Sequence, residues 1–275
     1  MDHAHDGKLR FRTIWISDLH LGTAACQAAA LLDFLRLTES KHLYLVGDIV
    51  DGWGLRRRWF WPQAHNDVVQ KLLRKARKGT SVVYIPGNHD AFGRHFLDAS
   101  FGGIELRNEA IHETADGRRL LVVQGDLFDG VIQCARWLAF VGDRLYMGAL
   151  YLNRWLNSAR ARLGFPHWSL SQFLKHKVKN AVNYISDFEA ALAQEARRRG
   201  VDGVVCGHIH KAEIRTIDGI LYCNDGDWVE SFTALVESDD GTLSIVHFKD
   251  VVGRARALTT APIEEELSLA YSSRN

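Results

Sequence analysis

Short apolar runs closed by Gly or Asp recur along this chain at wide intervals: Thr13–Ser17, Leu43–Val46, Ser81–Ile85, Leu120–Val123 and Val204–Cys206. Each is rich in Val, Ile or Leu without a polar alternation, the pattern of a strand covered on both faces. Between them, residues 27–37 and 63–78 carry apolar positions at helical spacing, and the second run closes on basic residues followed by Gly79. This alternation predicts an α/β fold with its strands in the core. Further on, "GILYCNDGDW", "SFTALVES" and "TLSIVHFKD" follow one another as strands, and Asp239-Asp240-Gly241 is a hairpin turn signal. They are expected to be antiparallel strands of the same body. Residues 254–275 read as a peripheral C-terminal tail.

Residues 131–199 break the pattern. Their second half predicts one strong helix. Ser169 and Gln172 form a capping box after Pro166, the apolar residues from Leu170 to Leu192 share one face, and Arg197-Arg198-Arg199-Gly200 makes a helix end. The first half is helical in period and unusually aromatic, and it predicts two helices broken near Gly142 or Gly148.

Charge narrows the picture. Over 275 residues the formal net charge is +1, so the molecule as a whole is not an electrostatic nucleic-acid binder, although local basic patches remain. Cys26, Cys134, Cys206 and Cys223 form no C-x-x-C pair and read as buried free thiols of a reducing compartment. The N-terminus lacks an apolar signal region and no uninterrupted apolar run is long enough to span a bilayer, so a cytoplasmic location is expected.

The strand exits carry the chemistry. In order they read "ISDLH" (Asp18, His20), "LVGDIVD" (Asp48, Asp51), "IPGNHD" (Asn88, His89, Asp90), "VVQGD" (Gln124, Asp126) and "CGHIH" (His208, His210). Ligands of open α/β sheets bind at the carboxyl ends of strands. Asp-x-His and His-x-His place two side chains on one side of an extended segment. Any one Gly-Asp at a strand end is ordinarily a turn; five such exits in one chain point to a metal site. The candidate ligands outnumber what one ion needs, and two divalent ions bridged by a carboxylate suit phosphoester hydrolysis. Imidazole, carboxylate and amide without thiolate favour manganese, with iron or zinc as alternatives. No Walker loop and no Gly-x-Ser-x-Gly elbow is present, which excludes P-loop NTPases and serine hydrolases of that type.

The series DLH…GD…GNHD…GD…GHIH resembles the calcineurin-like metallophosphoesterase superfamily. The inserted segment and the "GHIHKAEI…YCNDGDWVES" continuation resemble its UDP-2,3-diacylglucosamine diphosphatase-like branch. The resemblance implies a four-layer α/β/β/α sandwich, with its core in residues 1–130 and 200–253 and a helical cap in 131–199. It also implies roles: Asp18, His20 and His210 on a first metal, Asp48 bridging, Asn88 and His208 on a second with position 124 completing it, and His89 over the phosphoryl group, oriented by Asp90.

Two departures stand out. The superfamily has His where this chain has Gln124. Three explanations stay open: a natural ligand of a weaker or differently selective second site, an engineered replacement, or a degenerate site. The UDP-2,3-diacylglucosamine diphosphatases have Arg where this chain has His89, which implies a sister group with a related substrate.

The implied reaction is cleavage of the diphosphate of a nucleotide-linked or phosphorylated lipid by metal-activated water. A phosphodiesterase or nuclease, or a catalytically weakened metal-binding homologue, is the alternative. Residues 131–180 hold eight basic residues against the single acid Asp143, interleaved with aromatics. Either this cap meets an amphiphilic phosphate, with Lys175, Lys179 and Asn180 as headgroup candidates, or its aromatics pack on the core and its cations face water. "WGLRRRWFWPQ" at 53–63 is a second basic-aromatic stretch, suited to substrate, to the surface of the cytoplasmic membrane or to single-stranded nucleic acid, the last ranking behind.

Overall fold

The computed structural model describes residues 7–126 and 185–258. The expectations for 131–184, including the capping box, Lys175, Lys179, Asn180 and the break near Gly142 or Gly148, lie outside the described residues, as do Cys134 and residues 259–275. The chain divides into two compact units, Met1–Asp126 with Glu195–Asn275, and Leu127–Gln194. The first holds two β-sheets and the site; of the second, residues 185–194 are described and are helical.

In the larger sheet β1 (Leu9–Ile16), β2 (Thr38–Val46), β3 (Ser81–Ile85) and β5 (Ile104–Leu106) are parallel neighbours. The short edge strand β4 (Ser100–Phe101) is antiparallel to β5, and β11 (Thr233–Glu237) and β12 (Leu243–His247) extend the other edge antiparallel. The smaller sheet runs β6 (Ala110–Glu113), β7 (Arg119–Val122), β8 (Gly203–Cys206), β10 (Ile220–Asn224) and β9 (Glu213–Ile217). All five runs read as buried strands are strands, and the Asp239-Asp240-Gly241 turn closes on Ser238 N–H donating to Thr242 O at 3.0 Å. The three C-terminal strands lie in the one unit as expected, β11 and β12 pairing antiparallel with each other, while β10 joins the smaller sheet, antiparallel to β9 and parallel to β8. The segment after β10, with Trp228 buried, carries the chain from one sheet to the other.

The uninterrupted apolar runs have a simple cause: both faces of the large sheet are covered. Ile14, Ile16, Leu43, Leu45 and Val82 join a core with helices α1 (Ala28–Leu37) and α3 (Gln63–Arg77). Their alternates Trp15, Tyr44, Val46, Val83 and Ile85 meet Leu120, Val122, Val205 and Cys223 of the second sheet. A fully buried side chain of this kind contributes about 1.5–3 kcal/mol. Helix α3 buries His65, Val68, Leu72 and Lys75, a stripe at helical spacing, and Lys75 satisfies its ammonium by donating to Thr38 O at 2.6 Å. The helix ends at Gly79, whose φ of +98° is the left-handed conformation expected past a helix terminus. The boundary expected at 253/254 falls inside a helix, residues 248–258, because Val251 and Ala255, one turn apart, are both buried.

A polar clamp fastens the two sheets. The buried Glu237 of β11 accepts from Thr13 Oγ1 at 2.6 Å, Arg12 Nη1 at 2.9 Å and Ala115 N–H at 2.7 Å, and lies 2.9 Å from Nε2 of His112 in β6. Burial pushes this carboxyl up, but the contacts with His112, Thr13 and Ala115 outweigh it and hold the group at about 2. A carboxyl depressed on folding stabilises the native state above its ordinary value of 4.5 and loses that contribution as pH falls towards about 2. Glu237→Gln should therefore lower the melting temperature at neutral pH and flatten the acid limb in that window. A variant whose melting follows the parent throughout the window would contradict the assignment.

Candidate metal centre

The site lies where β1, β2, β3, β7 and β8 run out into loops. Asp18 (φ +52°), His20 (+50°), Asp48 (+53°), His208 (+72°) and His210 (+54°) are five of the eight non-glycine residues in the left-handed region among those described. Such residues cost of order 1–3 kcal/mol each and persist where the surroundings hold them, commonly at functional sites. The expectation that the strand pleat puts Asp18 beside His20 is corrected here. Both lie past the end of β1, and the left-handed turns drive Leu19 into the core while its neighbours join the site. The loops are stitched together by backbone bonds: Asp18 N–H to Gly47 O at 3.0 Å and His20 N–H to Asp48 O at 2.9 Å.

Two overlapping clusters of ligand atoms result. Asp18, His20 and His210 have ligand atoms within 4.8 Å of one another, and so do His20, Asp48 and His89. Asp18 is fully buried; Oδ1 is 2.8 Å from His210 Nε2, and Oδ2 accepts from the His208 N–H at 2.9 Å and from Ser17 Oγ at 2.7 Å. Asp48 Oδ1 accepts the His89 N–H at 2.8 Å. The expected first ligand set is thus together, and Asp48 stands beside it. Asn88, in the adjoining loop, buries its Oδ1 with no hydrogen-bond partner among the described residues, an oxygen available to a cation.

The electrostatics suit a cation. Burial works against charge on Asp18, yet His210 and His20 hold its carboxyl well below the usual range. Burial disfavours a charged His20 as well, yet Asp18 and Asp51, then Asp48, raise it to about 10. An imidazole held protonated that strongly marks a surplus of negative charge, which a hard divalent ion would neutralise. Asp48 is raised by burial and by the charge of Asp18, as expected for crowded carboxylates. The residues present therefore fit a divalent ion.

Gln124 is buried, and its side chain crosses Gly47 and Gly87, where a Cβ would fall 1.8 Å from Gln124 Cγ and 2.9 Å from Cδ respectively. Its Oε1 accepts the Asp126 N–H at 2.8 Å, which leaves Nε2, a donor, 2.9 Å from His208 Nδ1. Turning the amide over would set its NH2 against another donor, the Asp126 N–H. The local hydrogen bonding therefore presents the amide's poorer end towards His208.

The role expected for Asp90 is also corrected. Its carboxylate does not reach the His89 ring; it accepts from the Ile49 N–H at 2.7 Å, from the Asp48 and Val50 N–H groups at 3.3 Å, and from the Tyr84 hydroxyl. Burial first, and then Asp48, raise it to about 6 against those bonds. Asp90 shapes the Asp48 loop. The group beside His89 is Asp51, whose Oδ2 is 3.2 Å from His89 Nδ1 and 3.5 Å from His20 Nδ1, while Oδ1 accepts the Gly54 N–H at 2.6 Å and caps helix α2 (Gly52–Arg57). Trp53 lies over His89 with ring centroids 4.3 Å apart. In the sequence Asp51 is a carboxylate at a strand exit with no evident role, and three further supports emerge only in the fold. Arg94 binds both Asp126 oxygens at 2.6 Å and Pro86 O at 3.1 Å, tying two site loops together. Ser17 Oγ lies 2.7 Å from Asp18 and from Asp225, and burial raises Asp225 well above an ordinary carboxyl. The double acid in "NDGDW" was the one available signal for Asp225.

A family model described as calcineurin-like phosphoesterase matches residues 11–212. A UDP-2,3-diacylglucosamine hydrolase of Neisseria meningitidis serogroup B is 26% identical over 241 residues, covering 84% of this chain and 96% of its own length. The protein of that name from Xanthomonas campestris pv. campestris is 29% identical over 245 residues, covering 83% of this chain and 96% of its own.

Proposed function

This chain belongs to the calcineurin-like phosphoesterase family, metal-dependent hydrolases of phosphate esters, and from that premise we propose that it cleaves the diphosphate of a nucleotide-linked diacyl lipid with water as the nucleophile. The observation that carries the chemistry is the convergence of Asp18, His20, Asp48, His89 and His210 in two clusters sharing His20. The substrate class is supported by relatives whose name specifies a UDP-linked diacyl sugar and which align over 96% of their own length.

In this reading Asp18, His20 and His210 would hold one divalent ion and Asn88 and His208 a second, with Asp48 serving both and position 124 contributing weakly. Manganese is the first choice on donor chemistry. Such ions, when bound, supply an activated water at neutral pH and neutralise phosphoryl charge. The protein's own groups do the rest. His89 holds a proton for the departing oxygen, and Asp51 fixes the ring that carries it. Asp90 and Arg94 keep the loops in register. Lys175, Lys179 and Asn180 remain the headgroup candidates.

The test is turnover by the manganese-loaded chain of UDP-2,3-diacylglucosamine in detergent, run in 18O-water. UMP and a lipid monophosphate should appear, with one label in a product phosphate and two metals per chain by elemental analysis. Cleavage of single-stranded DNA but not of the lipid would move the assignment to a nuclease. A metal-loaded chain inert towards both would overturn it.

A further inference from the structure

Helix α2 starts from Asp51, the residue beside His20 and His89, and about 9 Å further along, at 1.5 Å per residue, it ends in a cationic tip. Arg56, Arg57 and Arg58 are exposed, and none forms an ion pair among the described residues. The next residues are Trp59, 74% exposed, and Phe60, 38% exposed. From Gly52 to Asn66 the sequence holds no carboxylate. The tip has a firm base. Trp61 packs against the core and edge-on against His65, with ring centroids 5.5 Å apart, and Nδ1 of the buried His65 accepts the Gly22 N–H at 3.0 Å. Leu55 packs over Gly22, so the tip is braced against the loop that leaves His20.

Two large exposed rings beside three exposed guanidinium groups suit a partner that is apolar and anionic together. We propose that residues 56–60 dock on the headgroup layer of an anionic lipid bilayer, the arginines on lipid phosphates and Trp59 and Phe60 among the upper acyl chains. Aromatic rings favour that depth, and cations are drawn to an anionic leaflet. The alternative partner, single-stranded nucleic acid, is bound along a groove spanning several nucleotides, which three consecutive cations followed by two rings at a helix end do not provide. Docking here sets the mouth of the metal centre at the surface where a diacyl substrate resides; that purpose, though not the docking itself, rests on the lipid reading above.

Vesicle sedimentation of the metal-loaded full chain tests it. Binding should be strong to phosphatidylcholine containing phosphatidylglycerol, weak to phosphatidylcholine alone, and reduced by salt. R56Q/R57Q/R58Q should cut partitioning about a hundredfold, on the basis of roughly fivefold per cation at an anionic surface. Brominated lipids should quench part of the tryptophan emission, and Trp59→Phe should remove that part. Both variants should turn over detergent-dispersed UDP-2,3-diacylglucosamine as the parent does, which separates failure of docking from failure of the substrate reading. A triple-arginine variant that binds vesicles like the parent would overturn the proposal. So would equal binding to neutral vesicles, or preference for oligothymidylate over anionic vesicles.

Discussion

Asp48→Ala should leave a folded protein whose turnover is lower by roughly a thousandfold or more, in the range seen when a group stabilising transition-state charge is removed. Asp48 is the carboxylate of the cluster it forms with His20 and His89, and it also receives the His89 N–H. Its loss takes away that cluster's only carboxylate and loosens the backbone beneath His89. His20→Ala should do as much, since His20 belongs to both clusters. Because Asp48 is buried, the alanine variant alone could confuse chemistry with folding. Asp48→Asn keeps the shape and an acceptor for His89 while removing the charge, and it should be nearly as inactive with an unchanged melting profile. Metal content per chain should fall in each variant. Activity within tenfold of the parent in Asp48→Asn or His20→Ala would refute the proposed mechanism.

Gln124→His should act in the opposite direction. As built, the side chain at 124 has its oxygen engaged by the Asp126 N–H and turns its NH2 towards His208. A donor there repels a cation, whereas an imidazole nitrogen offers a lone pair. The substitution should tighten the weaker of two metal sites by about tenfold or more, a change of about 1.4 kcal/mol, and raise turnover at limiting manganese while saturating manganese narrows the gap. The measurement is a manganese titration of parent and variant, read both by bound metal and by rate. Identical titration curves would mean that position 124 does not contribute to ion binding.

Much of this architecture can be read from the residues because the same constraint acts twice. A strand covered on both faces must be apolar throughout, so β1, β2, β3, β7 and β8 stand out in the sequence, and their exits follow. Strands that lack that cover leave no such mark: β9, Glu213–Ile217, has no buried residue, and β4 is only Ser100–Phe101. The ligand residues are visible as types and spacing. What brings them together is not, since it depends on left-handed turns at Asp and His, which cost energy locally and persist only where the surrounding fold holds them. Asp90 illustrates the limit. Adjacency suggested a partner for His89, but the side chain turns away to the backbone of a loop some forty positions earlier in the chain, and Asp51 takes the place beside the imidazole. Arg94 acts through its long-range contact with Asp126, which a linear reading has no means to anticipate, and the paired acids of "NDGDW" mark Asp225 without pointing to its partner Ser17.

Gly47 and Gly87 flank the side chain at 124 on two separate loops. A Cβ at Gly47 would strike the Gln124 side chain, and one at Gly87 would meet Asp48 first and then Gln124 Cδ, so the two glycines, Asp48 and position 124 form one interlocked unit. An evolutionary path that exchanges the donor at 124 is open only while both neighbours remain bare. The history of that position should therefore be one of epistasis: amide and imidazole can alternate over time, but the two glycines behind them cannot drift.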